Sequence, residues 1–235
     1  MHKVKRAIIM AAGKGNRMHP ITLTIPKPLV TVNGVRMIDT VIQGLRKNGI
    51  NEIYVVVGYL KEQFSVLEEE YGVYIIENPY YDTCNNISSL YVARDYLEDS
   101  IILDGDQIIY NDNILRPEFE KSGYNAVWTD IDTDEWLMQV ENGRVISCSR
   151  TGGKKGWQLY SISRWSAEDG AKLREHLEEE FEINKKHQIY WDDVAMFCHF
   201  NEYDLGIISM NKSDIVEVDS FEDLMELDIS YKIYN

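Results

Sequence analysis

Apolar positions along the first hundred residues follow two alternating rhythms. Val4 to Met10 and Glu52 to Val57 are short runs rich in apolar and β-branched side chains, and they predict buried strands. Between them, Met37 to Asn48 spaces its apolar residues three and four apart, as a helix burying one face does, and Gly49 supplies a stop. Strand, helix and strand make a βαβ unit. The rhythm continues with a helix over Leu60 to Tyr71, a short strand over Val73 to Ile76, a helix over Ile87 to Leu97 and a buried strand over Ile101 to Leu103. Such an order predicts a largely parallel sheet, and ligands on such sheets bind beyond the carboxyl ends of the strands, where Gly13, Gly58 and Asp104 to Asp106 fall.

After residue 110 the pattern changes. Strands are predicted over Asn125 to Thr129, Leu137 to Glu141, Arg144 to Ser149 and Gln158 to Ser163 with no full helix between them. Asn142-Gly143 suits the positive φ values of a type I′ hairpin turn, so this half carries an antiparallel section fit for a second substrate. A long helix over Ala167 to Phe181, strands over Asp204 to Ser209 and Asp214 to Val218, and a terminal helix over Phe221 to Tyr231 behind Ser220 complete the pattern. No linker, repeat or low-complexity segment interrupts it. The expectation is one α/β domain over residues 1–235, a Rossmann-like, mixed, mostly parallel sheet flanked by helices.

Charge narrows the function classes. The chain is acidic, net −15, yet Lys3, Lys5, Arg6, Lys14, Arg17, Lys27 and Arg36 all precede the first acidic residue, Asp39. An acidic surface argues against nucleic acid and anionic membranes as partners, while a basic amino-terminal end permits a focused anion pocket. Cys84, Cys148 and Cys198 are widely spaced, which suggests neither a disulfide framework nor a zinc site and fits a cytoplasmic setting. Lys and Arg ahead of Ala7 to Ala12 imitate a leader peptide, but that run is at the short limit and its cleavage would remove the first strand. No apolar stretch approaches the ~20 residues that span a bilayer.

The anion pocket has a candidate. Ala11-Ala12-Gly13-Lys14-Gly15-Asn16-Arg17-Met18, followed by Pro26-Lys27-Pro28-Leu29, sits directly behind the first strand. Gly13 and Gly15 let backbone N–H groups approach a phosphate chain, and Lys14, Arg17 and Lys27 add cationic side chains. Two glycines alone would suit any tight strand-to-helix turn. Asp104-Gly105-Asp106 follows a buried strand with both carboxylates on one side, and Trp191-Asp192-Asp193 offers a later pair. Carboxylates suit Mg²⁺, although D-G-D is also a good turn and Asp192-Asp193 a good helix start.

Together these residues resemble the nucleotidyltransferases that build sugar nucleotides and related activated compounds, whose signature A-A-G-x-G-x-R-[ML] and P-K-[PA]-[LM] runs here from Ala11 to Met18 and Pro26 to Leu29. Gly58-Tyr59-Leu60-Lys61-Glu62-Gln63-Phe64, Asn85-Asn86 with Ser89-Leu90-Tyr91, Glu135-Trp136 and Tyr190-Trp191-Asp192 are most similar to bacterial CTP:phosphocholine cytidylyltransferases. The resemblance implies that Gly13, Gly15, Arg17 and Lys27 hold the triphosphate of CTP, with Lys27 near the α-phosphate and Lys14 at the variable position of the signature. It implies that Ala11, Asn85 and Ser89 contact cytosine and ribose, that Asp106 and Asp192 bind Mg²⁺, and that Asp104 and Asp193 support them. CMP would pass to phosphocholine, giving CDP-choline and pyrophosphate, with Trp136, Tyr190 and Trp191 around the quaternary ammonium and Trp157 behind them. A phosphate nucleophile is already anionic, so no Ser–His or Cys–His pair is needed. A 2-aminoethylphosphonate cytidylyltransferase, a sugar-1-phosphate nucleotidyltransferase and a nucleotide-binding regulatory module that has lost turnover are the alternatives. Oligomeric state is not legible in the chain.

Overall fold

The computed structural model describes residues 1–234. Four strands run parallel in the spatial order Tyr74–Glu77, Glu52–Val57, Arg6–Ala11, Ser100–Asp104. The chain starts in the middle, steps outward twice, then returns to the opposite side of its first strand. That reversal opens a crevice between the carboxyl ends of Arg6–Ala11 and Ser100–Asp104. Gly105 closes the crevice floor by donating its N–H to the Met10 carbonyl at 2.9 Å.

Beyond Ser100–Asp104 the sheet becomes antiparallel. Gly156–Trp165 pairs along one edge with Gly123–Thr129, but its other edge is divided between two partners. Ile162 to Trp165 lie against Ser100 to Leu103, while Trp157 and Gln158 lie against Leu137 and Met138. The sheet parts between them, at Leu159 and Ser161, beside Asp104. Gly206–Ser209 extends the sheet in parallel with Gly123–Thr129, and the Leu137–Glu141 and Arg144–Ser149 hairpin turns through Asn142 and Gly143 at φ 50° and 74°, as a type I′ turn requires. The sheet is thus mixed, with a parallel half and an antiparallel section, as the hydrophobic pattern predicts.

Alternation along Arg6–Ala11 divides the core. Ala7, Ile9 and Ala11 meet Ile38, Val41 and Leu45 of helix Met37–Lys47 on one face, and Ile8 and Met10 join Ile87, Leu90, Leu173 and Leu177 on the other. A third cluster sets Met18, Ile21, Val30 and Met37 against Val218, Phe221 and Leu224. Helix Phe221–Leu227, capped by Ser220 and Asp223, therefore anchors the glycine loop from the far end of the chain.

Several helices are shorter than their apolar spacing predicts. Ser65–Tyr71 is preceded by a 3₁₀ turn over Lys61–Phe64, because Leu60 sits at φ 49° and breaks the α path. Ile87–Val92 closes when the Ala93 N–H bonds the Leu90 carbonyl, and Ala167–Glu178 passes into a π turn over Glu179–Ile183. The last α-helix stops at Leu227 because Asp228 is extended, its carboxylate accepting the Asn33 N–H at 2.7 Å. Among the described residues no helix is long and apolar enough to cross a membrane.

Candidate active site

The first strand delivers the chain to the crevice at Ala11, and the glycine loop begins there. Gly15 adopts φ +63°, and a Cβ at that position would lie 3.0 Å from Lys27 Cβ and 3.1 Å from Thr22 Cγ2. Only glycine fits. The loop curls over Lys27, whose Nζ lies 2.6 Å from Asp106 Oδ2 and 3.3 Å from Asp219 Oδ1. Burial would depress that ammonium, but Asp106 and Asp219 outweigh it and hold its pKa above the ordinary lysine value. Arg17 reaches the same Asp219 Oδ1 at 2.9 Å. Ala11, Gly13, Gly15, Arg17, Lys27, Asp106 and Asp219 thus line one cleft. Lys14 differs from its expected place: it is outside that lining, paired with Asp82 on the surface.

A second pocket continues from this cleft through Arg17, Asp106 and Asp219 into the gap of the parted sheet. Asp104, Glu135, Asp192 and Glu217 also line it. Burial, then the charges of Asp106, Glu217 and Asp192, push the Asp104 carboxyl well above the usual range, and burial pushes Asp192 up to about 8. Burial likewise raises Glu217 to about 7. Asp192 Oδ1 is buried with no hydrogen-bond partner, next to the Tyr124 hydroxyl, which also has none.

Crowded carboxylates with an orphaned oxygen fit a hard divalent cation, whose charge would relieve all of them. Asp106 and Asp192 share the pocket although 85 residues of chain lie between them. Mg²⁺ is commonly held by one or two carboxylates together with substrate phosphates, a donor set that Asp106 and Asp192 could share.

On the other side of Gly13 lies a third pocket, lined by Ala12, Asn78, Asn85, Ser88 and Ser89. Asn85 fastens it to the later chain, its backbone N–H bonding the His187 carbonyl at 2.8 Å and its amide the Gln188 carbonyl at 3.2 Å. Asn78, unassigned in the sequence, is the organiser here. Its buried amide donates to both Ser88 Oγ and Ser89 Oγ at 3.0 Å.

Trp136 and Tyr190 meet edge to face at 5.9 Å and 89°, forming an aromatic corner beside Glu135. Trp191 does not join it. It is 1% exposed, packed against Tyr124 at 6.0 Å and Trp165 at 6.4 Å, because the chain turns at Tyr190 and Trp191, with the Trp191 N–H bonded to Asn86 Oδ1 at 2.9 Å, and sends the tryptophan inward while Tyr190 stays half exposed. Trp157 pairs with Trp128 in a separate surface pocket and stands behind no cage. Trp191→Ala is therefore expected to act on the fold, lowering stability by about 3–5 kcal/mol as large core deletions do. Chemical denaturation checks this; an unchanged midpoint with a raised acceptor KM would return Trp191 to the pocket.

Glu217 and Asp219 do not stand out in the sequence as site residues, because Val216 to Ser220 looks like a strand end and a helix cap. The available signal was an alternation, Glu217 and Asp219 sharing one side while Val216 and Val218 face the core.

Comparison with known proteins identifies the family. Residues 6–126 match the nucleotidyl transferase family. The chain is 39% identical to 2-aminoethylphosphonate cytidylyltransferase of Lancefieldella rimae, covering 96% of this chain and 92% of that protein. It is 33% identical to choline-phosphate cytidylyltransferase of Streptococcus pneumoniae, covering 95% and 96%. The solved CTP:phosphocholine cytidylyltransferase from Streptococcus pneumoniae superposes with a TM-score of 0.89 at 33% identity, over 99% of this chain and 100% of that one. The signature loop, the crevice at the strand reversal and these full-length likenesses together show that the chain belongs to the nucleotidyl transferase family, in its cytidylyltransferase branch.

Proposed function

We propose that this protein transfers CMP from CTP to the phosphorus-bound oxygen of a small acceptor carrying a cationic amine, releasing pyrophosphate. The observation that carries the reading is the junction of two pockets at Asp106: a cleft with Arg17 and Lys27 on one side, and an acidic pocket with an aromatic corner on the other. An acceptor with a negative and a positive end fits that polarity.

The acceptor's anionic oxygen attacks the α-phosphorus, forming one P–O bond while the bond to the β-phosphate bridging oxygen breaks. No base is required. Lys27 and Arg17 neutralise the triphosphate and the charge that grows on the leaving pyrophosphate, and the backbone at Gly13 and Gly15 lets the phosphates approach. Asn85 and Ser89 take the nucleoside side, while Ala11, expected to join them, lies in the cleft of Arg17 and Lys27 across Gly13. Asp106 and Asp192 would hold Mg²⁺, which supplies charge neutralisation at the phosphates when bound.

The acceptor we favour is 2-aminoethylphosphonate, in place of the phosphocholine inferred from the resemblance. With Trp191 in the core, the corner has two aromatic walls, Trp136 and Tyr190, beside Leu159, and oxygen-bearing side chains that include Glu135, Glu217 and Ser161 line the rest of the pocket. A primary ammonium must keep three N–H donors bonded and uses such oxygens, whereas a trimethylammonium needs apolar faces. The relative at 39% identity is named for the same acceptor. Phosphocholine is the second reading, favoured by the Trp136–Tyr190 corner and by the relative at 33%.

Pyrophosphate release measured with CTP and 2-aminoethylphosphonate, phosphocholine and phosphoethanolamine decides between them. The primary amines are expected to have the higher kcat/KM. A clear preference for phosphocholine overturns the acceptor assignment, and turnover with none of the three in the presence of CTP and Mg²⁺ overturns the function.

A further inference from the structure

Arg150 lies outside the acceptor pocket yet is tied to both of its aromatic walls. It follows strand Arg144–Ser149 and crosses to Asp193, donating from Nε to Oδ1 at 2.8 Å and from Nη2 to the same oxygen. The other oxygen, Oδ2, accepts the backbone N–H of Tyr190 at 2.8 Å. The Asp193 side chain is only 4% exposed, so this carboxylate depends on those partners. The guanidinium carbon also lies 3.6 Å from the Phe197 ring centroid and 5.8 Å from that of Trp136. Trp136 in turn meets Phe197 at 5.3 Å and 84°. One cation therefore joins three stretches of chain around the Trp136–Tyr190 corner.

We propose that Arg150 is a positioning residue of the acceptor pocket, which fixes the angle between Trp136 and Tyr190 through Asp193 and Phe197 and thereby sets selectivity among amine acceptors. This rests on the function proposed above and goes beyond it in giving the corner a support. Arginine suits the task because its planar fork gives two N–H groups to one carboxylate while its face stacks on a ring. Lysine keeps the charge without the fork or the stacking face. Without Arg150, the Asp193 carboxylate loses its cation, the Tyr190 backbone loses a fixed acceptor, and the Phe197 ring that meets Trp136 loses the cation stacked on it.

The test compares wild type with Arg150→Ala and Arg150→Lys in steady-state assays that vary CTP and the acceptor separately. Acceptor KM is expected to rise about tenfold in Arg150→Ala while CTP KM stays within about twofold, since contacting groups couple and distant ones do not. The ratio of kcat/KM between 2-aminoethylphosphonate and phosphocholine should shrink toward one, with Arg150→Lys recovering only part. In parallel, acrylamide quenching of Trp136, read as the difference between each protein and its Trp136→Phe counterpart, should increase in Arg150→Ala. Unchanged acceptor KM and unchanged quenching overturn the proposal, as does an equal rise in both KM values. If the wild type uses no amine acceptor, the proposed function falls by itself, and the quenching comparison still decides Arg150: unchanged Trp136 accessibility rejects it.

Discussion

Asp106→Ala and Asp192→Asn are each expected to lower CMP transfer by at least about 10³-fold, the scale on which charge-stabilising groups act in phosphoryl transfer, while the protein stays folded. The two positions make different demands. Asp106 is partly exposed and paired with Lys27, so its removal also frees a cation. Asp192 is 6% exposed, with Oδ1 lacking any partner, so its carboxyl is an expense to the fold. Asp192→Asn keeps the shape and removes the ionisable group, and its melting temperature should equal or exceed that of wild type. Chelation of divalent cations should bring wild type down to the same rate, and added Mg²⁺ should restore only the wild type. Near wild-type turnover in either variant would dismiss the metal assignment, whereas a melting temperature several degrees lower in Asp192→Asn would make that residue structural.

What could be read from the chain beforehand follows from the range of the forces involved. The parallel half was legible because its strands are continuous apolar runs and its helices are amphipathic, both local signals; Glu52–Val57 and the start of Met37–Lys47 fall where the pattern puts them. The glycine loop was legible because φ at Gly15 and the packing of Lys27 beneath it are set within a dozen residues. Asp219 was not. It reaches Arg17 and Lys27 only because Phe221 and Leu224 pack under Met18 and Ile21, a contact between opposite ends of the chain that leaves no periodicity. The burial of Trp191 is hidden from the sequence for a related reason. Tyr190 and Trp191 are equally aromatic, and only the side of the backbone on which each falls decides that one faces the pocket while the other fills the space between Tyr124 and Trp165. Lys14 shows the limit of charge reasoning, since a cation in a phosphate loop can as readily settle on a neighbouring carboxylate such as Asp82.

Lys27→Met is expected to reduce kcat by about 10²-fold or more, with a smaller change in CTP KM, because a clamp on a transferring phosphoryl group contributes most where charge develops. The difficulty is that Lys27 also serves the fold: its ammonium is the counter-charge of Asp106 and, with Arg17, of Asp219. Loss of activity alone would not separate the two roles. Asp219→Asn separates them, since it removes one of the carboxylates that Lys27→Met leaves unbalanced, and the single Asp219→Asn variant reports separately what losing the Arg17 contact does. If Lys27 acts on the triphosphate, the double variant should regain part of the melting temperature lost in Lys27→Met and none of the lost kcat. Thermal melting and pyrophosphate-release kinetics on the four proteins of this cycle give both readouts. Recovery of kcat alongside melting temperature would mean that Lys27 merely balances carboxylates, and the charge opposite the α-phosphate would then fall to Arg17 alone.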